Sequence, residues 1–219
     1  MSFFEDDLNF LRDRILLLGG AAEAAISRAT RALIERDADL AESVIAEDDE
    51  IDSMENEIDQ YCSDLLINNT SLDLDLRFVI SVSRAAQIIE RIADHAVNIA
   101  KHALVLIDQP QLKTHIELPQ LASIAQDMLL SSLDALTRSD CQLAFNTIHK
   151  DDQADELFHT IYDHLVTTME QEPKTVRRAV ELLFVIKHLE RIADYATNIC
   201  EMVIYLVEGR LIKHTPEAK

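Results

Sequence analysis

Eight carboxylates stand in four pairs, each spaced four residues apart: Asp48 with Asp52, Glu90 with Asp94, Asp151 with Asp155, and Glu190 with Asp194. On a helix that spacing stacks two side chains one above the other, so each pair offers two acids to a single patch. Like charges so placed cost about 0.2–0.5 kcal/mol per pair, and a second pair alongside costs more unless a cation collects the oxygens. Converging carboxylates without a lysine suit a hard or borderline metal ion. The plainer alternative is a solvated acidic face, with Arg91 and Arg191 as surface partners of little energetic weight. Fourfold placement favours the metal.

The pairs recur because the chain repeats itself. ERIADHAVNIA, from Glu90 to Ala100, and ERIADYATNIC, from Glu190 to Cys200, agree at eight of eleven positions. Upstream, AEDDEID aligns with HKDDQAD, which pairs Asp48 with Asp151 and Asp52 with Asp155; further upstream Asp37 aligns with Asp140. A tandem duplication of a unit of about 110 residues follows, with domains expected at 1–110 and 117–215 and a linker at 109–118. Asn98 and Asn198 also repeat, as amide ligands or as part of a polar groove. His95 is matched by Tyr195, and His102, His149, His159, His164 and His188 share no spacing, which suits surface or edge positions.

The elements that must carry these acids are helices. Three glycines, four prolines and no tryptophan, with 48% hydrophobic and 27% charged residues, point to an all-α protein. Pro110, Pro119, Pro173 and Pro216 fall at expected breaks, and six helices are predicted at 3–35, 37–68, 73–108, 118–138, 140–170 and 174–209. Asp37, Asp73 and Asp140 are placed as N-caps, and Gly209 suits a helix end. Val82, Ala85, Ile89, Ile92, Ala96, Ile99, Ala103 and Leu106 recur at alternating spacings of three and four, as do Leu182, Val185, Leu189, Ile192, Ala196, Ile199, Val203 and Leu206. Each series is a core seam, and its small alanines favour an antiparallel three-helix bundle in each half. Glu90, Asp94, Glu190 and Asp194 lie just off the seams, toward the outer surface. A metal there would be open to solvent, suited to sensing or bridging rather than to sequestered redox chemistry.

Forty acids against twenty bases give a formal charge of −20. Such a chain repels nucleic acid and anionic membranes and attracts cations. Cys62, Cys141 and Cys200 form no CxxC, which speaks against a disulfide framework or thiolate zinc site and fits a reducing cytoplasm. The apolar run Ile15 to Leu18 is too short for an export leader, and no segment is long enough for a membrane span. Phe3, Phe4, Phe10 and Leu11 are candidates for a homodimer contact, or for covering a bundle end.

The two ERIAD…A..NI segments, the Asp48xxIleAsp52 and Asp151xxAlaAsp155 segments and the doubled three-helix plan resemble the PhoU family of bacterial phosphate-transport regulators. Alanine stands at Ala93 and Ala193 where that family usually has glycine, and Tyr195 departs from its common histidine. The resemblance implies a cytoplasmic regulator rather than an enzyme. Its implied partners are the ATPase subunit of a phosphate ABC transporter and a membrane sensor histidine kinase, and the membrane is reached only through them. It further implies repression of the phosphate-starvation response when phosphate is plentiful, and iron or zinc on Asp48, Asp52, Glu90, Asp94, Asp151, Asp155, Glu190 and Asp194. Service to another phosphate transporter is an alternative. So is a carboxylate metal-cluster protein with redox activity, although the Glu-x-x-His pair such a centre wants occurs at Glu156 and His159 without a repeat.

Overall fold

The structure, a computed structural model, describes residues 3–68, 73–112 and 117–209. Secondary structure among them is helical throughout: α1 (Phe3–Glu35), α2 (Ala38–Ala46), α3 (Asp48–Asn68), α4 (Asp73–Ile107), α5 (Glu117–Arg138), α6 (Cys141–Gln171), a 3-10 turn at Pro173–Thr175, and α7 (Val176–Glu208). The expected all-α architecture and its six-helix plan hold, with one modification. The helix predicted over 37–68 bends at Glu47, which takes φ −90° and ψ 1° and separates α2 from α3. Glu47 to Glu50 are four consecutive acids. Inside a helix they would repel, whereas a new start sets Asp48, Asp49 and Glu50 in a first turn, at the positive end of the helix dipole. Arg28 holds the bend from α1 through an ion pair to Glu47 at 2.6 Å. The corresponding stretch of the second half reads Lys150, Asp151, Asp152, Gln153, carries less like charge, and stays within a continuous α6.

The ends of α1 and α5 are copies of one another. Arg36 (φ 60°) and Ser139 (φ 54°) both adopt the left-handed conformation, and the next amide reaches back to Ala32 O at 3.0 Å or Ala135 O at 2.9 Å, as in a Schellman ending. Asp37 then caps α2 by accepting from the Leu40 amide, and Asp140 caps α6 by accepting from the Leu143 amide, each at 3.0 Å. The cap expected at Asp73 falls where no side chain is described. Gly209 ends α7 at φ 70°, its amide donating to Tyr205 O. Pro216 lies outside the described residues.

Helices α1, α2/α3 and α4 pack as one antiparallel bundle and α5, α6 and α7 as a second, joined where α4 meets α7 and α1 meets α5. Both predicted seams are buried along their whole length. A second stripe is buried too: Ala86, Ala93, Val97 and Ala100 on α4, with Ile186, Ala193, Cys200 and Ile204 on α7. Besides their own bundles, these two helices also pack against one another. Leu11, expected at a surface, is fully buried, because it continues the Leu8, Leu11, Ile15, Leu18, Ala22 series on the inward face of α1. Phe10 is 44% exposed, while Phe3 and Phe4 have no described side chains. The start of the linker is gripped from both halves: Arg36 donates to Ile107 O and Gln109 O, and Arg178 donates to Pro110 O.

Adjacent glycines on α1 make opposite demands. A Cβ on Gly19 would stand 2.0 Å from Cδ1 of buried Leu133 on α5, whereas a Cβ on Gly20 meets nothing within 4 Å. Gly20→Ala is expected to stabilise the protein by about 0.5–1 kcal/mol through helix propensity. Gly19→Ala is expected to destabilise it by about 1–3 kcal/mol through overpacking. Urea denaturation of both variants checks the pair. Ser139→Gly relieves a left-handed residue whose side chain has no described partner, and is expected to add about 0.5–1 kcal/mol. A thermal midpoint no higher than that of the unmodified protein would contradict it.

Candidate functional site

The bundles bring the predicted acids together across helices. In the first half, α3 carries Asp48 and Asp52 and α4 carries Glu90 and Asp94. Burial raises the Asp48 carboxyl above its ordinary range, Asp52 and Asp94 add repulsion, and Lys101 opposes them. Burial likewise raises Glu90, aided by Asp94, Asp52 and Glu55 and opposed by Arg91. In the second half, α6 and α7 do the same. Asp151 is pushed up to about 7, by burial first and then by Asp155, Asp194 and Glu190. Burial and Glu190 raise Asp194 while Arg191 and Lys187 hold it back. Six of the eight acids are half-buried, and Asp94 and Asp155 are exposed, so both faces are open to water.

As they stand, no three His, Cys, Asp or Glu side chains among the described residues gather into a closed metal-binding set. Carboxylates that repel across a helix pair are held apart by their own charge, and the donor chemistry of the first face, oxygen only, fits a hard cation. Asp52, Glu55, Asn56, Gln87, Glu90 and Arg91 line a groove of about 330 Å³ there. Glu55 is a member that sequence reasoning overlooked. Its signal was available, since Asp48, Asp52, Glu55 and Asp59 continue at spacings of four, three and four; burial, Asp59 and Asp52 raise its carboxyl, and Ser83 Oγ donates to Asp59 at 2.6 Å. The second face differs. Lys187 Nζ donates to both Glu190 carboxylate oxygens at 2.7 Å, and Arg191 donates to Asp194 at 3.1 Å.

Three histidines without shared sequence spacing also meet, at the contact between the halves. His95 Nδ1 lies 2.8 Å from His188 Nδ1, and His102 Nδ1 lies 2.7 Å from Glu181 Oε2. His102 stacks on Phe184 with ring centroids 5.2 Å apart, and Tyr195 packs 5.6 Å from His95. Seven residues separate the partners on each helix, the register of an antiparallel crossing. Burial lowers both His95 and His188, the latter to about 4, where His95 and His102 add to the effect. Both rings are therefore neutral near pH 7. Asn98 and Asn198 are half-buried on the same two helices.

A doubled three-helix repeat in which an E-x-x-x-D helix faces a D-x-x-x-D helix defines a duplicated helical-repeat protein. The family model described as the PhoU domain matches twice, over residues 15–103 and 118–203. The phosphate-specific transport system accessory protein PhoU homolog of Pseudomonas aeruginosa is 35% identical over 212 residues, covering 96% of this chain and 88% of that protein. The crystal structure of PhoU from Pseudomonas aeruginosa superposes with a TM-score of 0.90 at 35% identity, covering 94% of this chain and all of that one. The phosphate transport system regulatory protein PhoU from Streptococcus pneumoniae superposes with a TM-score of 0.89 at 31% identity, covering 96% and 99%. The chain belongs to the PhoU family.

Asp151 sets a pH test. Unfolded, its carboxyl ionises near the ordinary 3.8; folded, near 7. The cost of ionising it in the fold is absent below the lower value and complete above the upper one, so this residue's contribution to stability falls as pH rises through that window. In chelator-treated protein, Asp151→Asn is expected to raise the thermal midpoint more at pH 8 than at pH 5. An equal gain at both pH values would contradict the assignment.

Proposed function

We propose that this protein is an accessory regulator of phosphate uptake and of the phosphate-starvation response. It works as a metal-binding adaptor between the ATPase subunit of a phosphate ABC transporter and a membrane sensor histidine kinase, and keeps signalling off while phosphate is plentiful. The observation that carries this reading is the match along both repeats to proteins named as accessory to phosphate-specific transport. The protein regulates rather than catalyses, acts in the cytoplasm and meets the membrane through its partners. No helix among the described residues is long and apolar enough to cross a membrane. A homodimer is the proposed assembly, with the exposed Phe10 ring at the contact.

The metal part rests on the acids. Asp48, Asp52, Glu90 and Asp94 in the first repeat, and Asp151, Asp155, Glu190 and Asp194 in the second, are the proposed ligands for iron, zinc or a similar ion. When bound, such an ion supplies positive charge that a partner's acidic or phosphorylated group can share. The protein's own residues supply oxygen donors, keep them half-exposed and hold them on two packed helices.

Deletion of the gene in its host tests the regulatory role: alkaline phosphatase is expected to be made in high phosphate, and continued repression would overturn the proposal. Co-purification from membranes at high and low phosphate reports the partners. For the ligands, a combined Asp94→Asn and Asp194→Asn variant is expected to lose bound metal by elemental analysis. An unchanged metal content would remove the acids from the role.

A further inference from the structure

The duplication places Lys187 where the first half has Gln87, and Phe158 where the first half has Glu55. Both exchanges lie within the acidic faces. Lys187 Nζ sits 2.7 Å from both oxygens of Glu190 and 5.4 Å from the centroid of the Phe158 ring, so the ammonium has a carboxylate on one side and an aromatic face on the other. Arg191 completes the compensation on Asp194. In the first half Gln87 brings no charge, Glu55 adds a further carboxylate, and Arg91, the counterpart of Arg191, leaves Glu90 and Asp94 without an ion pair among the described residues. The open groove lies on that side, lined by Asp52, Glu55 and Glu90.

We infer that Lys187 is the resident cation of the second repeat, so the two copies of the acidic face are not equivalent and the first repeat takes the metal ion ahead of the second. This rests on the metal-binding reading given above and narrows it. A lysine bound to both oxygens of Glu190 already delivers what a cation would deliver, and an entering ion would have to displace it. That displacement costs the charge-assisted hydrogen bonds and the aromatic contact together. No such cost stands in the way at Glu90.

The test is equilibrium dialysis of the full chain against Zn²⁺ alone, with the bound metal quantified by elemental analysis and folding followed by circular dichroism. Four chains are compared: the unmodified protein, Glu90→Gln, Glu190→Gln and Lys187→Gln. Expected are a loss of about tenfold or more in affinity of the first-filled site for Glu90→Gln, a markedly smaller loss there for Glu190→Gln, and extra bound metal at a fixed free Zn²⁺ concentration for Lys187→Gln. A Lys187→Gln, Glu190→Gln double variant is expected to abolish that extra metal, which assigns it to the second repeat. Equal losses from Glu90→Gln and Glu190→Gln would overturn the inequality of the repeats while leaving the metal reading intact, as would an unchanged metal content in Lys187→Gln. No bound metal in any folded chain would overturn both.

Discussion

The antiparallel contact between α4 and α7 is the constraint from which the other features follow. Each of these helices packs within its own bundle and also against its counterpart in the opposite half. With positions 92, 93 and 96 turned inward, Glu90 and Asp94 have only the outer groove toward α3 to occupy. The same geometry brings His95 to His188 and His102 to Glu181. Packing between apolar stripes thus determines where the charges stand.

Those charges are tolerated rather than favoured. A carboxylate half removed from water and set beside others of its kind prefers to hold a proton, and Asp48, Glu90, Asp151 and Asp194 all move in that direction. The fold offsets this with a large apolar core, helix caps and the grip of Arg36 and Arg178 on the linker. Stability is thereby exchanged for an accessible acidic surface, a pattern expected where local rules are broken at functional positions.

Most of the architecture was legible because it depends on local chemistry. The three-and-four spacing of Val82 through Leu106 announces a buried seam, Asp37 and Asp140 announce caps, and the repeated ERIAD segment announces the duplication. The bend at Glu47 was less visible, since helical periodicity runs on through it; four consecutive acids were its only mark. The second stripes of α4 and α7, the burial of Leu11 and the histidine cluster depend on which helices become neighbours. Residues such as His95 and His188, ninety-three positions apart, carry no local sign of their meeting. Glu55 was within reach of spacing alone, whereas the pairing of Lys187 with Glu190 became clear only when side-chain positions were known.

The contact between halves joins each element to its own counterpart, α4 to α7 and α1 to α5. A single repeat on its own would leave the α4 face that carries His95 and His102 uncovered, and the natural cover for such a face is another molecule of the same kind, related by a two-fold axis. The present chain has the form of an ancestral dimer made covalent. Fusion releases a constraint that symmetry imposes on separate subunits, in which every substitution appears on both sides at once. After it, one copy can acquire a lysine while the other keeps its glutamine, and a single gene can hold two divergent versions of the same surface.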